Sequence, residues 1–553
     1  MTIEQKYQLW LEKTEDSTLK AELIAMDEIK KTNAFYKDLE FGTAGLRGEI
    51  GAGSNCLNIY TIRKATQGVA DYMKSHGMSV ATVSCDCRIN SYLFKDTVAE
   101  VLASNGIKAY LTKSLMPTPF LSYVTRYKKA DVGIMITASH NPAKYNGYKV
   151  YGSDGCQLTD DASKEVTGYF SVVDGFAVKT DSLENYLKSG ICQYVEDEVS
   201  ELYLKDVLKQ SVCTADGLKV TYTALNGTGY QLVPEILKRV GVAEIDYVKE
   251  QVVPDGRFLT CSYPNPEKAD ALKLAIEYAK KSNSDIVIAT DPDADRVGSA
   301  VLHNGEYKLV SGNEMGVLLA SFLLDSKKKN GTLAQNPVLV KTIVTTSLLN
   351  KIAEEYNATV YNVLTGFKYI GDIIGKLERA GCEDRYVLGF EESYGYLAGT
   401  HVRDKDAVVA SMLIAEMTAY YKKQGKTLID VMNEIYEKYG VYTNTTISFE
   451  FAGAEGSVKM KELLNKLREN TPEKIGGNSV VESIDYLTQT KFDLPKSNVL
   501  SYAMEDGSLV IIRPSGTEPL IKTYITACKT REENFVQING IISEFEEIFE
   551  IKK

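Results

Sequence analysis

The sequence predicts an α/β protein, with three successive mixed α/β domains plus a C-terminal α+β domain around a central cleft. Three observations predict it. At 553 residues the chain is too long for one core and has room for three or four domains. From residue 79 onward, strand-like apolar runs alternate with helical ones, as in layered α/β domains. Toward the C-terminus that alternation gives way to paired strands and a terminal helix.

The elements follow in order. Residues 1–35 read as helical with one polar face, an N-terminal extension. Residues 80–84 are strand-like, 91–104 helical and 108–111 strand-like. A short helix near Phe120 and the apolar run 132–136 complete a first domain, 1–205. The run 218–223 leads into Asn226-Gly227-Thr228-Gly229 and a helix up to Arg239. The run 285–289 leads into an acidic loop, and together these make a second domain, 206–310. Residues 337–340 open a third, 311–435, with a helix over 347–355. In the fourth, 436–553, runs 499–504 and 508–512 flank Glu505-Asp506-Gly507, a hairpin with an Asp-Gly turn. A helix over 531–549 ends the chain. Each α/β unit brings a loop at a strand's C-terminal end toward one cleft, where such sheets bind ligands.

Composition narrows the function. Hydrophobic content of 44% and charged content of 25% are those of an ordinary globular protein. A net charge of −11 argues against a general nucleic-acid or anionic-membrane binder, but a local Arg/Lys cluster can still hold a small anion. The longest apolar stretches fall short of the ~20 residues that span a bilayer, and the first residues lack the apolar core of a signal peptide. Nine dispersed cysteines, of which only Cys85 and Cys87 are close, match no zinc or redox spacing and read as reduced thiols. A cytoplasmic protein is expected.

Four loops carry candidate chemistry. Thr137-Ala138-Ser139-His140-Asn141-Pro142 follows the apolar run 132–136 and puts a hydroxyl at the mouth of a sheet. A Ser-His-Asp triad is disfavoured there, because adjacent side chains rarely face each other. Asp291-Pro292-Asp293-Ala294-Asp295-Arg296 follows a buried strand. Carboxylates at i, i+2 and i+4 of an extended loop point to one side and repel unless a hard cation sits among them. The alternative is a solvated acidic loop. An EF-hand fails, since Arg296 and Leu302 stand where Gly and Glu are required. Arg513-Pro514-Ser515-Gly516-Thr517-Glu518-Pro519 offers a guanidinium fork, hydroxyls and glycine backbone to a phosphate, with Lys522 in reach, unless it is an ordinary surface turn. Gly389-Phe390-Glu391-Glu392-Ser393-Tyr394-Gly395 offers groups for vicinal hydroxyls, although a charged turn is the better reading from sequence alone. Gln424-Gly425-Lys426-Thr427 is half a P-loop that follows a helix, and reads as a glycine helix stop. His76, His303 and His401 carry no supporting context.

In this order, the four loops resemble those of the α-D-phosphohexomutase family, the phosphoglucomutases and phosphomannomutases. Phe41-Gly42-Thr43-Ala44-Gly45-Leu46-Arg47-Gly48, Asn146-Gly147-Tyr148-Lys149 and Thr365-Gly366-Phe367-Lys368-Tyr369-Ile370-Gly371 extend the resemblance over nearly the whole chain. It implies a mutase that interconverts α-glucose 1-phosphate and glucose 6-phosphate through a phosphoserine and a bisphosphorylated sugar. Mannose and pentose phosphates are the rival substrates. Ser139 would carry the phosphoryl group. It would hold Mg²⁺ with Asp291, Asp293 and Asp295. Arg47, Arg296 and Lys149 would surround the transferring group. Glu391 and Ser393 would grip sugar hydroxyls, with Lys368, Arg403 and Lys405 nearby, and Arg513, Ser515, Gly516, Thr517 and Lys522 would bind the other phosphate. Glucose 1,6-bisphosphate would serve as activator, and the protein would be a monomer or weak homodimer without nucleic-acid or membrane partners. Lys149 and His140 are the candidates for proton handling, ahead of Lys405. Where many bacterial members have Gly-His after the sugar-loop serine, this chain has Tyr394-Gly395-Tyr396. That form, with His401-Val402-Arg403-Asp404-Lys405-Asp406, is closer to glucose-directed relatives.

Overall fold

A computed structural model describes residues 1–42, 45–451, 453–490, 492–515 and 520–550. Four sheets follow one another along the chain. The first has a parallel centre, with Val80–Cys85 between Val132–Ile136 and Lys108–Leu111, and Cys192–Tyr194 beyond. Every residue of Val132–Ile136, and likewise of Ile286–Thr290 and Val338–Thr342 in the next two sheets, is buried. Strands covered by helices on both faces require such continuous apolar runs, which is why they were visible in the sequence.

One device recurs in all three α/β domains. A central parallel strand ends, the chain turns, and the next strand returns antiparallel beside it. Val132–Ile136 turns back as Tyr145–Gly152, Ile286–Thr290 as Val297–His303, and Tyr386–Glu391 as Gly395–Leu397. The turns are the serine loop, the acidic loop and the loop expected to bind sugar (the sugar loop). Each has one non-glycine residue in the left-handed region: Ser139 (φ 52°), Ala294 (φ 47°) and Tyr394 (φ 65°). Each such residue costs about 1 kcal/mol, and strain of this kind gathers at functional sites.

The N-terminal extension is three docked helices, Ile3–Lys13, Ser17–Ile24 and Glu28–Phe35. Tyr7, Trp10, Leu23 and Phe35 form a small core with Ala52 and Tyr60 of the first domain. The short helix near Phe120 is ten residues long, Thr118–Tyr127. Its Phe120, Tyr123 and Val124 join the large core that runs through the second and third domains. The fourth domain keeps its own core beneath an antiparallel sheet, covered by Gly453–Glu469 and Arg531–Ile548. It meets the third through Ile343, Val344 and Leu364 packed on Tyr486, Val499, Ile511 and Tyr524. Gly425, at φ 73° shortly after the helix Ala407–Lys422, is the helix stop read from the sequence.

Candidate active site

The serine loop and the acidic loop meet. Ser139 Oγ donates to Asp291 Oδ2 at 2.9 Å, although 152 residues separate them. The sequence expectation that Ser139 and His140 would not face each other is corrected, since Ser139 Oγ lies 3.1 Å from His140 Nδ1. The left-handed turn at Ser139 swings the two side chains together. A hydroxyl has one proton, so donation to Asp291 makes His140 Nδ1 the donor to Oγ. Burial, reinforced by the cations Arg296 and Arg47, holds the His140 imidazole well below its usual range and therefore neutral.

The acidic loop is not extended as expected. It is a compact turn in which Asp291 Oδ1 accepts the backbone N–H groups of Asp295 (3.1 Å) and Arg296 (2.9 Å). It is propped from behind by Thr228, whose N–H and hydroxyl both donate to the Pro292 carbonyl. From the first domain, Thr118 donates its N–H to the Asp293 carbonyl at 2.9 Å and its hydroxyl to Asp293 Oδ2 at 2.8 Å. Lys149 Nζ lies 3.0 Å from Asp293 and 3.6 Å from Asp295, and Lys405 Nζ lies 3.2 Å from Asp295 and 3.0 Å from Asp404.

These contacts leave negative charge uncompensated. Asp291, Asp293, Asp295 and Asp404 are buried against two ammonium groups, Lys149 and Lys405, while the Arg296 guanidinium, 3.8 Å from Asp295 Oδ1, is shared with Glu267. Burial and then the carboxylates Asp293 and Asp295 push the Asp291 carboxyl well above its usual range. Burial and then Asp293 raise Asp295. Burial opposes ionisation of Asp293 too, but Lys149 overcomes it and holds Asp293 low. Asp293 Oδ1 and Asp295 Oδ1 are buried without a hydrogen-bond partner. Among the described residues, these three aspartates are the one group of three side chains offering ligand oxygens within 4.8 Å of one another. An all-oxygen donor set with orphaned carboxylate oxygens fits a hard divalent cation.

The sugar loop joins the acidic loop through a backbone bridge between Arg296 and Gly395 and through Val297 N–H donating to the Tyr394 carbonyl at 3.1 Å. Glu391 is buried and accepts the Gly366 N–H at 2.9 Å. Ser393 is partly buried in the same turn. Burial, aided by Glu391, raises the Glu392 carboxyl to about 7, and burial lowers its neighbour Lys341 to about 8. Arg296 pairs with Glu267, and the exposed Arg47 donates to Asn141 Oδ1 at 3.5 Å.

Not every expected residue converges. Arg403 is fully buried, with its guanidinium bound to Glu378 at 2.6 Å, to the Val402 carbonyl at 3.0 Å and to the Thr400 carbonyl. It is an interdomain tie, because Glu378 also takes Arg126 of the first domain at 2.8 Å. Lys368 is spent on Asp160 of the first domain at 2.5 Å. In the fourth domain Arg513 and Lys522 are directly opposed on neighbouring antiparallel strands. Arg513 sits beside Tyr524 and Tyr369, and Ser515 N–H donates to the Leu520 carbonyl at 2.8 Å. Gly516 and Thr517 lie outside the described residues. Asp86 and Arg88, just after the strand Val80–Cys85, and Thr118, the first residue of the helix Thr118–Tyr127, gave no sequence signal, because a polar residue at an element's end carries no periodic pattern.

Fold and site together define a multidomain α/β enzyme built around a serine and a carboxylate cluster. The chain matches the phosphoglucomutase/phosphomannomutase family in all four parts: α/β/α domain I over residues 38–174, domain II over 201–305, domain III over 311–439 and the C-terminal domain over 463–536. It is 35% identical to the phosphoglucomutase of Staphylococcus haemolyticus strain JCSC1435 over 544 residues, covering 96% of this chain and 97% of that one. Its fold is similar to a phosphoglucomutase/phosphomannomutase family protein of Burkholderia thailandensis (TM-score 0.69, 17% identity, 92% of this chain and 97% of that chain). It is equally similar to the open form of the exocytosis-sensitive phosphoprotein pp63/parafusin of Paramecium (TM-score 0.69, 17% identity, 93% and 96%). The chain belongs to the phosphoglucomutase/phosphomannomutase family, and it is a mutase. No helix among the described residues is long and apolar enough to cross a membrane.

Proposed function

We propose that the reaction is the interconversion of α-D-glucose 1-phosphate and glucose 6-phosphate, with Ser139 as the phosphoryl carrier and glucose 1,6-bisphosphate as the turning intermediate. The observation that carries this reading is the Ser139 hydroxyl held 2.9 Å from Asp291 beside a neutral imidazole. Asp291, Asp293 and Asp295, with the phosphorylated Ser139, would hold Mg²⁺, which when bound would neutralise charge on the transferring group. Phosphoryl transfer needs positioning and charge stabilisation more than covalent ingenuity, and Arg47, Arg296 and Lys149 supply cations around the hydroxyl. His140, neutral and in contact with Ser139 Oγ, can exchange a proton at that oxygen. Glu391 and Ser393 would orient the sugar, with Lys405 beside them. Arg513, Ser515, Gly516, Thr517 and Lys522 would clamp the phosphate that is not reacting. The clamp sits on a separately cored domain, which allows it to serve both orientations of the intermediate. Lys368 and Arg403 act in this reading by holding the domains together. The relatives named phosphoglucomutase favour glucose.

Three measurements test it. Intact mass after incubation with glucose 1,6-bisphosphate should rise by one phosphate, located on Ser139. The kcat/KM for glucose 1-phosphate should exceed those for mannose 1-phosphate and ribose 1-phosphate, and a reversed order would overturn the glucose assignment. Inorganic phosphate release that matches substrate loss would indicate a phosphatase instead.

A further inference from the structure

Ser139 holds a left-handed backbone conformation without glycine's freedom, and both peptide groups beside it are gripped. Its N–H donates to Thr137 Oγ1 at 2.8 Å. Its carbonyl accepts from Arg88 Nη2 at 2.5 Å. Both grips lead back to one carboxylate. Thr137 Oγ1 donates to Asp86 Oδ2 at 2.6 Å, and Arg88 Nε lies 3.4 Å from the same oxygen. Asp86 Oδ1 takes the Arg88 N–H at 2.9 Å and the Ser91 hydroxyl at 3.0 Å. The guanidinium then follows the loop, donating to the carbonyls of Asn141, of Pro142 at 3.0 Å and of Tyr145 at 2.8 Å. Its far face lies 5.2 Å from the centre of the Phe258 ring. Both side chains of the ion pair are wholly buried. Burying an ion pair costs desolvation that packing alone seldom recovers, so one whose donors all serve a single loop points to shaping that loop.

We propose that Asp86 and Arg88 are positioning residues that bracket Ser139 from both sides and fix the direction of its hydroxyl. The proposal rests on the reading of Ser139 as phosphoryl carrier. In-line transfer is sensitive to displacement, and about 1 Å of misplacement costs about 10²-fold in rate. A lysine at 88 keeps the charge but has no planar fork to span several carbonyls at once. An asparagine at 86 keeps the shape but loses the charge that gathers Thr137 and Arg88.

The test compares R88K and D86N with the unmodified enzyme. Three quantities are measured: the rate of Ser139 phosphorylation by glucose 1,6-bisphosphate, Mn²⁺ affinity and glucose 6-phosphate affinity. The expected result is phosphorylation slowed about 10- to 100-fold in both variants, with both affinities within about twofold of the parent. R88A should regain rate on addition of guanidinium ion, which a purely structural defect would not. Phosphorylation within about twofold of the parent in both variants overturns the proposal. So does parallel loss of metal and sugar affinity, or failure of both variants to fold, since each makes the bracket a general stability element. If the unmodified enzyme itself takes no phosphate on Ser139, the carrier reading falls, and that outcome is separate from the variants' behaviour.

Discussion

Ser139 is placed by its neighbours rather than by its own preference. It sits in a backbone region that costs about 1 kcal/mol, and the surrounding hydrogen bonds hold it there. If it carries the phosphoryl group, Ser139→Ala should lose mutase turnover by about 10³-fold or more while still binding glucose 6-phosphate by calorimetry. Unchanged turnover would reject the role. Thr118 makes a second prediction at this scale. It occupies Asp293 Oδ2 and leaves Oδ1 without a partner. Thr118→Val should weaken Mn²⁺ binding about 10- to 100-fold, and Thr118→Ser should restore it. Chelation should abolish activity, and Mg²⁺ should return it better than Ca²⁺, which prefers more ligands than this cluster offers.

Elements set the site through one repeated device, a parallel strand that doubles back antiparallel. It delivers the serine loop, the acidic loop and the sugar loop in turn. Behind them, the helix Ala407–Lys422 is packed on nearly its whole length and carries a buried acid, Glu416. Its Oε2 accepts the Val212 N–H at 3.0 Å, and Oε1 has no hydrogen-bond partner. Burial pushes this carboxyl up to about 7 from an ordinary 4.5. The unfolded chain therefore loses this proton first, and between those two pH values the group's contribution to stability falls as pH rises. Glu416→Gln removes that dependence. The variant should match the parent near pH 4 and exceed it by about 1–3 kcal/mol near pH 8, read from urea unfolding at both pH values. A variant less stable than the parent at pH 8 would contradict the account.

The whole molecule is divided unevenly. The second and third domains share one apolar core, and the first is tied to the third by polar contacts, among them Lys368 to Asp160, Tyr151 to Asp404 and the Arg126–Glu378–Arg403 cluster. The fourth has a separate core and meets the third through an apolar patch. Glu378 gives a test of the ties. Burial works against its charge, but Arg126 and Arg403 hold its carboxyl down at about 2. Its stabilisation is therefore present above pH 4.5 and disappears as pH falls toward 2. Its side chain is 44% exposed, and solvent screening reduces the effect to about 1 kcal/mol. Glu378→Gln should be less stable than the parent by that amount at pH 7, and the gap in denaturant midpoint should narrow steadily as pH falls from 4.5 toward 2. A gap that stays constant with pH would point to packing rather than charge.

The sequence by itself determined the α/β layering, the strands before each loop, and the serine and aspartates as candidate residues, which the fold brings into contact. These were legible because a buried parallel strand must be a continuous apolar run, and the loop after it stands out by contrast. Only the tertiary structure decided which polar residues serve the site and which serve the frame. Arg403 and Lys368 looked like substrate residues, yet Lys368 binds Asp160 of the first domain and Arg403 binds Glu378, which also takes Arg126 of the first domain. Asp86, Arg88 and Thr118 had no signal at all, yet hold the serine and an aspartate in place. The physical reason is that hydrophobic periodicity is local to the chain. A hydrogen bond between residues 139 and 291, or 118 and 293, depends on how whole domains pack and leaves no pattern in either segment.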